Sequence, residues 1–98
     1  MRRIFVKGTL REYWKKHPEV EQYLKTWFNT AINSDWKNPA DIKLSYVNAS
    51  ILKDGRVVFN IKGNSHRLVV KCDFQRQWIF IRFVGTHEEY DKINANLI

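Results

Sequence analysis

Cysteine occurs once in this sequence, at Cys72. That excludes an intrachain disulfide framework and fits a reducing compartment. Only 2 prolines and 4 glycines interrupt the chain, which excludes a collagen-like rod or a low-complexity linker. No apolar run approaches the ~20 residues of a membrane span. The opening Met1-Arg2-Arg3-Ile4-Phe5-Val6 is followed by a further charge at Lys7, so it has no apolar stretch of signal-peptide length. The expectation is a cytoplasmic protein without a membrane partner. Acidic residues are the minority, 10 Asp and Glu against 17 Lys and Arg, for a formal net charge of +7. A small basic chain points to a polyanion, either nucleic acid, an acidic protein or an anionic surface.

The rest of the composition describes a folded chain. Its 98 residues are 44% hydrophobic and 14% aromatic. That suffices for a single domain, residues 1–98, burying roughly 60–70% of its unfolded surface. Arg3 to Lys7 reads as a first strand with Ile4 and Val6 on one face. Thr9 and Glu12 have capping-box spacing, and Leu10, Tyr13 and Trp14 form an apolar helical stripe. Pro18 ends this helix and starts a second. Val20, Leu24, Trp27, Phe28, Ala31 and Ile32 carry the second helix to about Asn33. Residues 34–55 have no clear period. Ile51 and Leu52 are expected to anchor them, and Asp54-Gly55 to form a tight turn.

Three alternating segments follow. Val57, Phe59 and Ile61 share one face, as do Leu68, Val70, Cys72 and Phe74, and then Ile79, Ile81 and Phe83. Thr86 to Glu89 is a second capping box, opening a short helix with Tyr90, Ile93 and Leu97 on one stripe. The expected fold is α+β. A curved antiparallel sheet of about four strands packs on an N-terminal helical hairpin and carries a short C-terminal helix.

The opposite sheet face holds the candidate chemistry. A two-residue turn at Asn64-Ser65 pairs Lys62 with Arg67, and pairing Phe74 with Ile79 puts Lys71 opposite Arg82. Lys62, Arg67, Lys71 and Arg82 then form a basic patch beside Asn60 and Asn64. Like charges across strands repel, so the patch suggests an absent anion. The alternative is ordinary pairing with Asp73, Glu88 or Glu89. His87 opens the last helix directly after the strand of Arg82, where its ring suits a general acid or base. Tyr90 either joins the core or lines the same site. Trp78 and Phe80 either stack on bases or pack under a terminal segment. His17 reads as a cap and His66 as a turn residue. Cys72 reads as a buried apolar residue. No histidine or cysteine has metal-ligand spacing, and no Gly-rich phosphate loop is present.

Several segments resemble one family. They are Pro39-Ala40-Asp41-Ile42-Lys43, Val58-Phe59-Asn60-Ile61-Lys62-Gly63-Asn64, Arg67-Leu68-Val69 and, most specifically, Ile81 to Asp91 with Gly85-Thr86-His87-Glu88-Glu89-Tyr90. Together they resemble the HigB toxins of the RelE-like superfamily of toxin–antitoxin modules. The resemblance implies a small α+β endoribonuclease that cuts mRNA in the ribosomal A site, without metal or cofactor. It also implies a cognate HigA-type helix-turn-helix antitoxin, through which operator DNA is bound. In such toxins an arginine before Leu-Val stabilises the scissile phosphate, and Arg67 matches it. A histidine or tyrosine at the sheet edge moves protons, and His87 and Tyr90 match. A strand glutamate used by some relatives as general base has no evident counterpart.

The expected activity is attack of the RNA 2′-OH on the adjacent phosphate. Arg67 and Arg82 stabilise charge, Lys62 and Lys71 supply field, Asn60 and Asn64 contact RNA, and His87 acts as acid or base. Two competing functions are a non-catalytic RNA- or ribosome-binding module and a structural partner of an acidic protein.

Overall fold

A computed structural model describes residues 1–98. The chain runs β1 (Arg3–Phe5), α1 (Gly8–Lys16), a 3-10 turn (Pro18–Val20), α2 (Glu21–Ile32), α3 (Pro39–Ser45) and β2 (Ser50–Ile51). It continues with β3 (Arg56–Ile61), β4 (His66–Asp73), β5 (Trp78–Thr86) and α4 (His87–Asp91). The fold is α+β, as expected, but its sheet has five strands in the order β1-β5-β4-β3-β2. It is also mixed: β1 lies parallel to β5, with Ile4 beside Ile79.

The inner sheet face and the helices share one core. Leu24 and Trp27 on α2 and Leu10 on α1 are buried against Phe59, Leu68, Val70 and Ile79. Burying each such side chain contributes roughly 1.5–3 kcal/mol. The helix periods are therefore the right signal, though the ends differ from expectation. β1 stops at Phe5 because Val6 turns left-handed, with φ 65, and is exposed. Lys7, not Thr9, is the N-cap of α1, and no side chain caps it. α3 was not legible as a helix. Asn38 caps it by accepting from the Asp41 N–H at 3.0 Å, with Pro39 in its first turn. Ile51 does not anchor the connection, since it is 38% exposed on an edge strand. Trp36, Ile42 and Ala49 are the buried anchors there. Asp54-Gly55 is a tight turn with both residues at positive φ. A Cβ on Gly55 would lie 2.4 Å from the Cys72 carbonyl oxygen.

Both hairpin registers differ from the expected ones by two residues. Lys62 to Ser65 form a four-residue turn in which Lys62 and Gly63 are left-handed. Asn60 therefore stands opposite Arg67, and Ile61 opposite His66. The second turn is tightened by Asp73, whose carboxylate accepts from the Arg76 N–H at 3.1 Å. Lys71 thus faces Phe80 instead of Arg82. A shift of two preserves the face of every side chain, which is why the apolar assignments of β3 and β4 survive.

A bulge breaks that parity on β5. Val70 pairs with Ile81 and Val69 with Phe83, leaving Arg82 as the extra residue. Phe83 consequently joins the outer face and Val84 the inner one. His66 is not a turn residue either; it begins β4 and is buried.

The outer face is not an open basic sheet. α4 is only five residues long, and residues 92–98 cross the strands. Tyr90, Ala95 and Ile98 pack on Val58 and Val69. Arg56 fixes this segment by donating from Nε to the Ile98 carbonyl at 2.6 Å. Leu97 is 69% exposed, so the expected Tyr90-Ile93-Leu97 stripe does not form.

Candidate functional site

Asn60, Arg67 and Gly85 stand in one row across the outer faces of β3, β4 and β5. The row lies at the end of the sheet next to the Lys62–Ser65 turn. Arg67 is its centre and is buried. Its Nη1 donates to the Asn64 carbonyl at 2.9 Å and to the His66 carbonyl at 3.3 Å. Its Nη2 donates to the Asn64 side-chain oxygen at 3.0 Å. Asn64 thus holds one edge of the guanidinium. The other edge keeps two donors, Nε–H and the second Nη2 hydrogen. Neither has an acceptor in the protein, and Nε is not sealed from solvent.

No carboxylate pairs with Arg67, Lys62, Lys71 or Arg82. Asp73 pairs with Arg76 at 3.8 Å, and Glu89 closes a capping box with Thr86. A buried guanidinium normally needs a counter-charge. Arg67 has only neutral oxygens, and its free edge has the spacing that a phosphate accepts in a bidentate contact.

Two residues of α4 approach this row. The Tyr90 ring centre lies 5.7 Å from the Arg67 guanidinium carbon. Tyr90 therefore meets both expected surroundings, packing on Val58 and Val69 and facing the site. The His87 N–H donates to the Ser65 carbonyl at 3.0 Å, tying α4 to the β3–β4 turn. The His87 ring is half exposed, with Nδ1 3.7 Å from the Asp91 carboxylate. The expected capping box is present: the Thr86 N–H donates to Glu89 Oε1 at 2.8 Å, and the Glu89 N–H to the Thr86 hydroxyl at 3.1 Å. Gly85 makes the approach of α4 possible. A Cβ there would lie 2.5 Å from the Phe83 ring and 3.1 Å from Glu89 Oε1.

The structure therefore brings together Arg67, Asn60, Asn64 and Tyr90, with His87 on the adjoining turn. It does not gather the four cations into one patch. Lys71 and Arg82 line a separate shallow groove with Asp73 and Phe80. Lys62 sits in the left-handed turn, and its charge bears on Glu19 and His66 toward the helices.

A second group of titratable residues emerges only in three dimensions. The Tyr13 hydroxyl lies 2.7 Å from His66 Nδ1. Glu19 Oε2 is 3.5 Å from His66 Nε2 and 3.6 Å from His17 Nδ1. Tyr13 stacks on His17 with ring centres 4.4 Å apart. Burial pushes the Tyr13 phenol up to about 12, helped by Glu89 and Glu19. Burial also lowers the His66 pKa, and Glu19 opposes that shift. The one sequence signal for this group was the four-residue spacing of Tyr13 and His17, which stacks them on one helix face.

Comparison with known proteins bears on this arrangement. Residues 20–93 match the family described as HigB toxin, RelE-like toxic component of a toxin-antitoxin system. That span holds every residue of the Arg67 row and most of the core. The chain belongs to the HigB toxin family. It is 31% identical over 94 residues to the mRNA interferase toxin HigB of Escherichia coli strain K12, covering 94% of this chain and 90% of the relative. The mRNA interferase HigB of Escherichia coli O157:H7 gives the same figures. A further mRNA interferase HigB, from Escherichia coli O6:H1, is 23% identical and covers 92% of this chain and 89% of the relative. As a HigB-family toxin, the chain is one half of a toxin–antitoxin pair. No helix of it is long and apolar enough to cross a membrane.

Proposed function

We propose that this HigB-family toxin is an endoribonuclease that cuts translated mRNA in the ribosomal A site. It needs neither metal nor cofactor and works in the cytoplasm. A HigA-type helix-turn-helix antitoxin restrains it and carries the pair to operator DNA. The observation that carries the catalytic reading is Arg67, a buried guanidinium held on one edge by Asn64, with no carboxylate partner and no acceptor in the protein on its other edge. The names of the relatives supply mRNA as the target.

In the proposed reaction the 2′-OH of the cut nucleotide attacks its 3′-phosphate. The O2′–P bond forms and the P–O5′ bond breaks, leaving a cyclic phosphate and a free 5′-hydroxyl. A base must take the 2′-OH proton and an acid must supply one to O5′. The free edge of Arg67 stabilises the charge that builds on the phosphate oxygens. Tyr90, whose ring lies against the Arg67 guanidinium, and His87, at the start of the same helix, carry the protons. Asn60 and Asn64 contact the RNA and orient Arg67. Lys62 adds charge from the β3–β4 turn, and Lys71 and Arg82 add it from the neighbouring groove. The ribosome contributes by fixing the mRNA, and positioning of that kind is worth as much as about 7–11 kcal/mol.

Inducible expression in bacteria, followed by mapping of mRNA 5′ ends, tests this. Wild type is expected to arrest growth and create new in-frame cuts, and Arg67→Ala at equal expression to do neither. Arrest without cuts would replace the nuclease by a binding inhibitor. Full cutting by Arg67→Ala would remove Arg67 from the mechanism.

A further inference from the structure

The outer face has a second region outside the row of Asn60, Arg67 and Gly85. It lies where β1, β5 and β4 meet, on the far side of the segment that packs on Val58 and Val69. Phe5, Trp78 and Phe80 project there and are each half-buried. Phe5 stacks on Phe80 with ring centres 4.9 Å apart, and Trp78 meets Phe5 edge-on at 5.3 Å. The three rings hold one another in fixed orientations. The C-terminal residues cover Val58 and Val69 and do not reach them.

Cations frame the rings on both sides. Lys71 and Arg82 share a groove of about 290 Å³ with Phe80. Arg2 and Arg76 share another of about 390 Å³ with Trp78. The Arg76 guanidinium lies over the Trp78 ring, 5.1 Å from its centre. Asp73 is the single acid lining either groove, and Arg76 already neutralises it. Lys71 and Arg82 have no carboxylate partner.

We propose that this region is a second contact for single-stranded RNA, in which Trp78 and Phe80 stack on bases while Lys71, Arg82, Arg2 and Arg76 hold the phosphates. Rigid aromatic faces interleaved with cations are what single strands require, because every base has a π-face and every link a phosphate. A protein helix would need a continuous apolar trough, whereas Lys71, Asp73 and Arg82 interrupt one groove and Arg2, Gln75, Arg76 and Gln77 the other. Arg67 and Lys71 project from the same face of β4, about 13 Å apart at ~3.3 Å per residue. A few nucleotides bridge that interval, so one strand reaches both regions. This inference rests on the reading that the toxin acts on RNA. It assigns Lys71 and Arg82 to holding the strand beyond the cut.

The probe is a twelve-nucleotide 2′-O-methyl oligoribonucleotide, which lacks the attacking hydroxyl. Its affinity for the full chain is measured by anisotropy over a range of salt. Trp78→Ala is expected to weaken binding about tenfold, with Trp78→Phe restoring most of it. Arg82→Ala is expected to flatten the slope of log affinity against log salt by about 0.7, one phosphate contact on a single strand. Arg82 is exposed on the bulge, so this variant carries the test if Trp78→Ala does not fold. A duplex of the same length is expected to compete poorly. Unchanged affinity and slope in the folded variants, or equal competition by duplex, would overturn the proposal. Loss of mRNA cutting in Arg67→Ala with binding indifferent to Trp78 and Arg82 removes this surface alone. Weakened binding in Trp78→Ala and Arg82→Ala with cutting untouched by Arg67→Ala leaves this surface standing and removes the catalytic reading.

Discussion

Arg67→Lys separates charge from geometry at the centre of the site. The substitution keeps one positive charge and deletes the fork. In wild type, Asn64 takes one edge of the guanidinium through contacts of 2.9 and 3.0 Å. The other edge can then present two parallel N–H groups to one phosphate. A lysine ammonium offers a point charge and no such pair. Losing one preorganised donor to the transition state costs about 2.7–4 kcal/mol, or roughly 100- to 1,000-fold in rate. Stability falls as well, because at least one charge-assisted hydrogen bond to Asn64 is lost, at about 1.5–3 kcal/mol. For a chain of this size that lowers the melting temperature on the order of 10 °C. Cleavage must therefore be assayed where circular dichroism shows the variant fully folded, on programmed ribosomes with the 5′ ends quantified. Asn64→Ala is the companion, since it keeps the guanidinium but frees its orientation, and its loss is expected to be smaller. A folded Arg67→Lys that cuts within about threefold of wild type would refute the argument, since charge alone would then suffice.

Two further outcomes follow from the same geometry. Gly85→Ala is expected to cost about 1–3 kcal/mol, because the new methyl group meets the Phe83 ring and the Glu89 carboxylate that caps α4. The melting temperature and mRNA cutting should drop together as Tyr90 and His87 shift, and an unchanged melting temperature would show that Phe83 simply swings aside. Acid should destabilise the fold through His66, whose folded pKa lies below its ordinary 6.5 because it is buried. The unfolded chain then binds the extra proton, so stability is complete above about pH 6.5 and declines as pH falls from there through the folded pKa. Glu19, His17, Lys62 and Tyr13 surround this ring. Thermal melts across this range should slope in wild type and flatten in His66→Gln, and equal slopes would show that the imidazole does not titrate with unfolding.

Local signals and long-range ones differ in how far the sequence discloses them. The strands β3 to β5 were legible because inner positions alternate within each of them, as far as Ile81 on β5. α2 was legible because Leu24, Trp27 and Ala31 recur at the helical period. α3 was not, since it buries one side chain, Ile42, and one residue has no period. The bulge was hidden because Phe83 and Val84 are both apolar, so neither parity looked wrong. That hidden bulge, together with the two-residue register shift, is why Lys71 and Arg82 were expected beside Arg67 and instead share a groove with Phe80. Strand parity put Arg67 on the outer face, and the capping box fixed the start of the helix that carries Tyr90, but their meeting was left open by the local pattern. The His17–Glu19–His66 group was not legible, because it forms only when the α1–α2 junction docks on the start of β4. The parallel β1–β5 pair has no local signature at all.

That parallel pair also sets when the molecule can exist. Residues 3–5 are made long before their partners at 78–80. Until β5 is released, Ile4 and the inner faces of β3 and β4 lack their neighbour, and contacts of such wide sequence separation form slowly. The growing chain therefore stays unfinished until β5 can pair. For a toxin this is a built-in delay: the row that Arg67 shares with Gly85 is incomplete until β5 is in place.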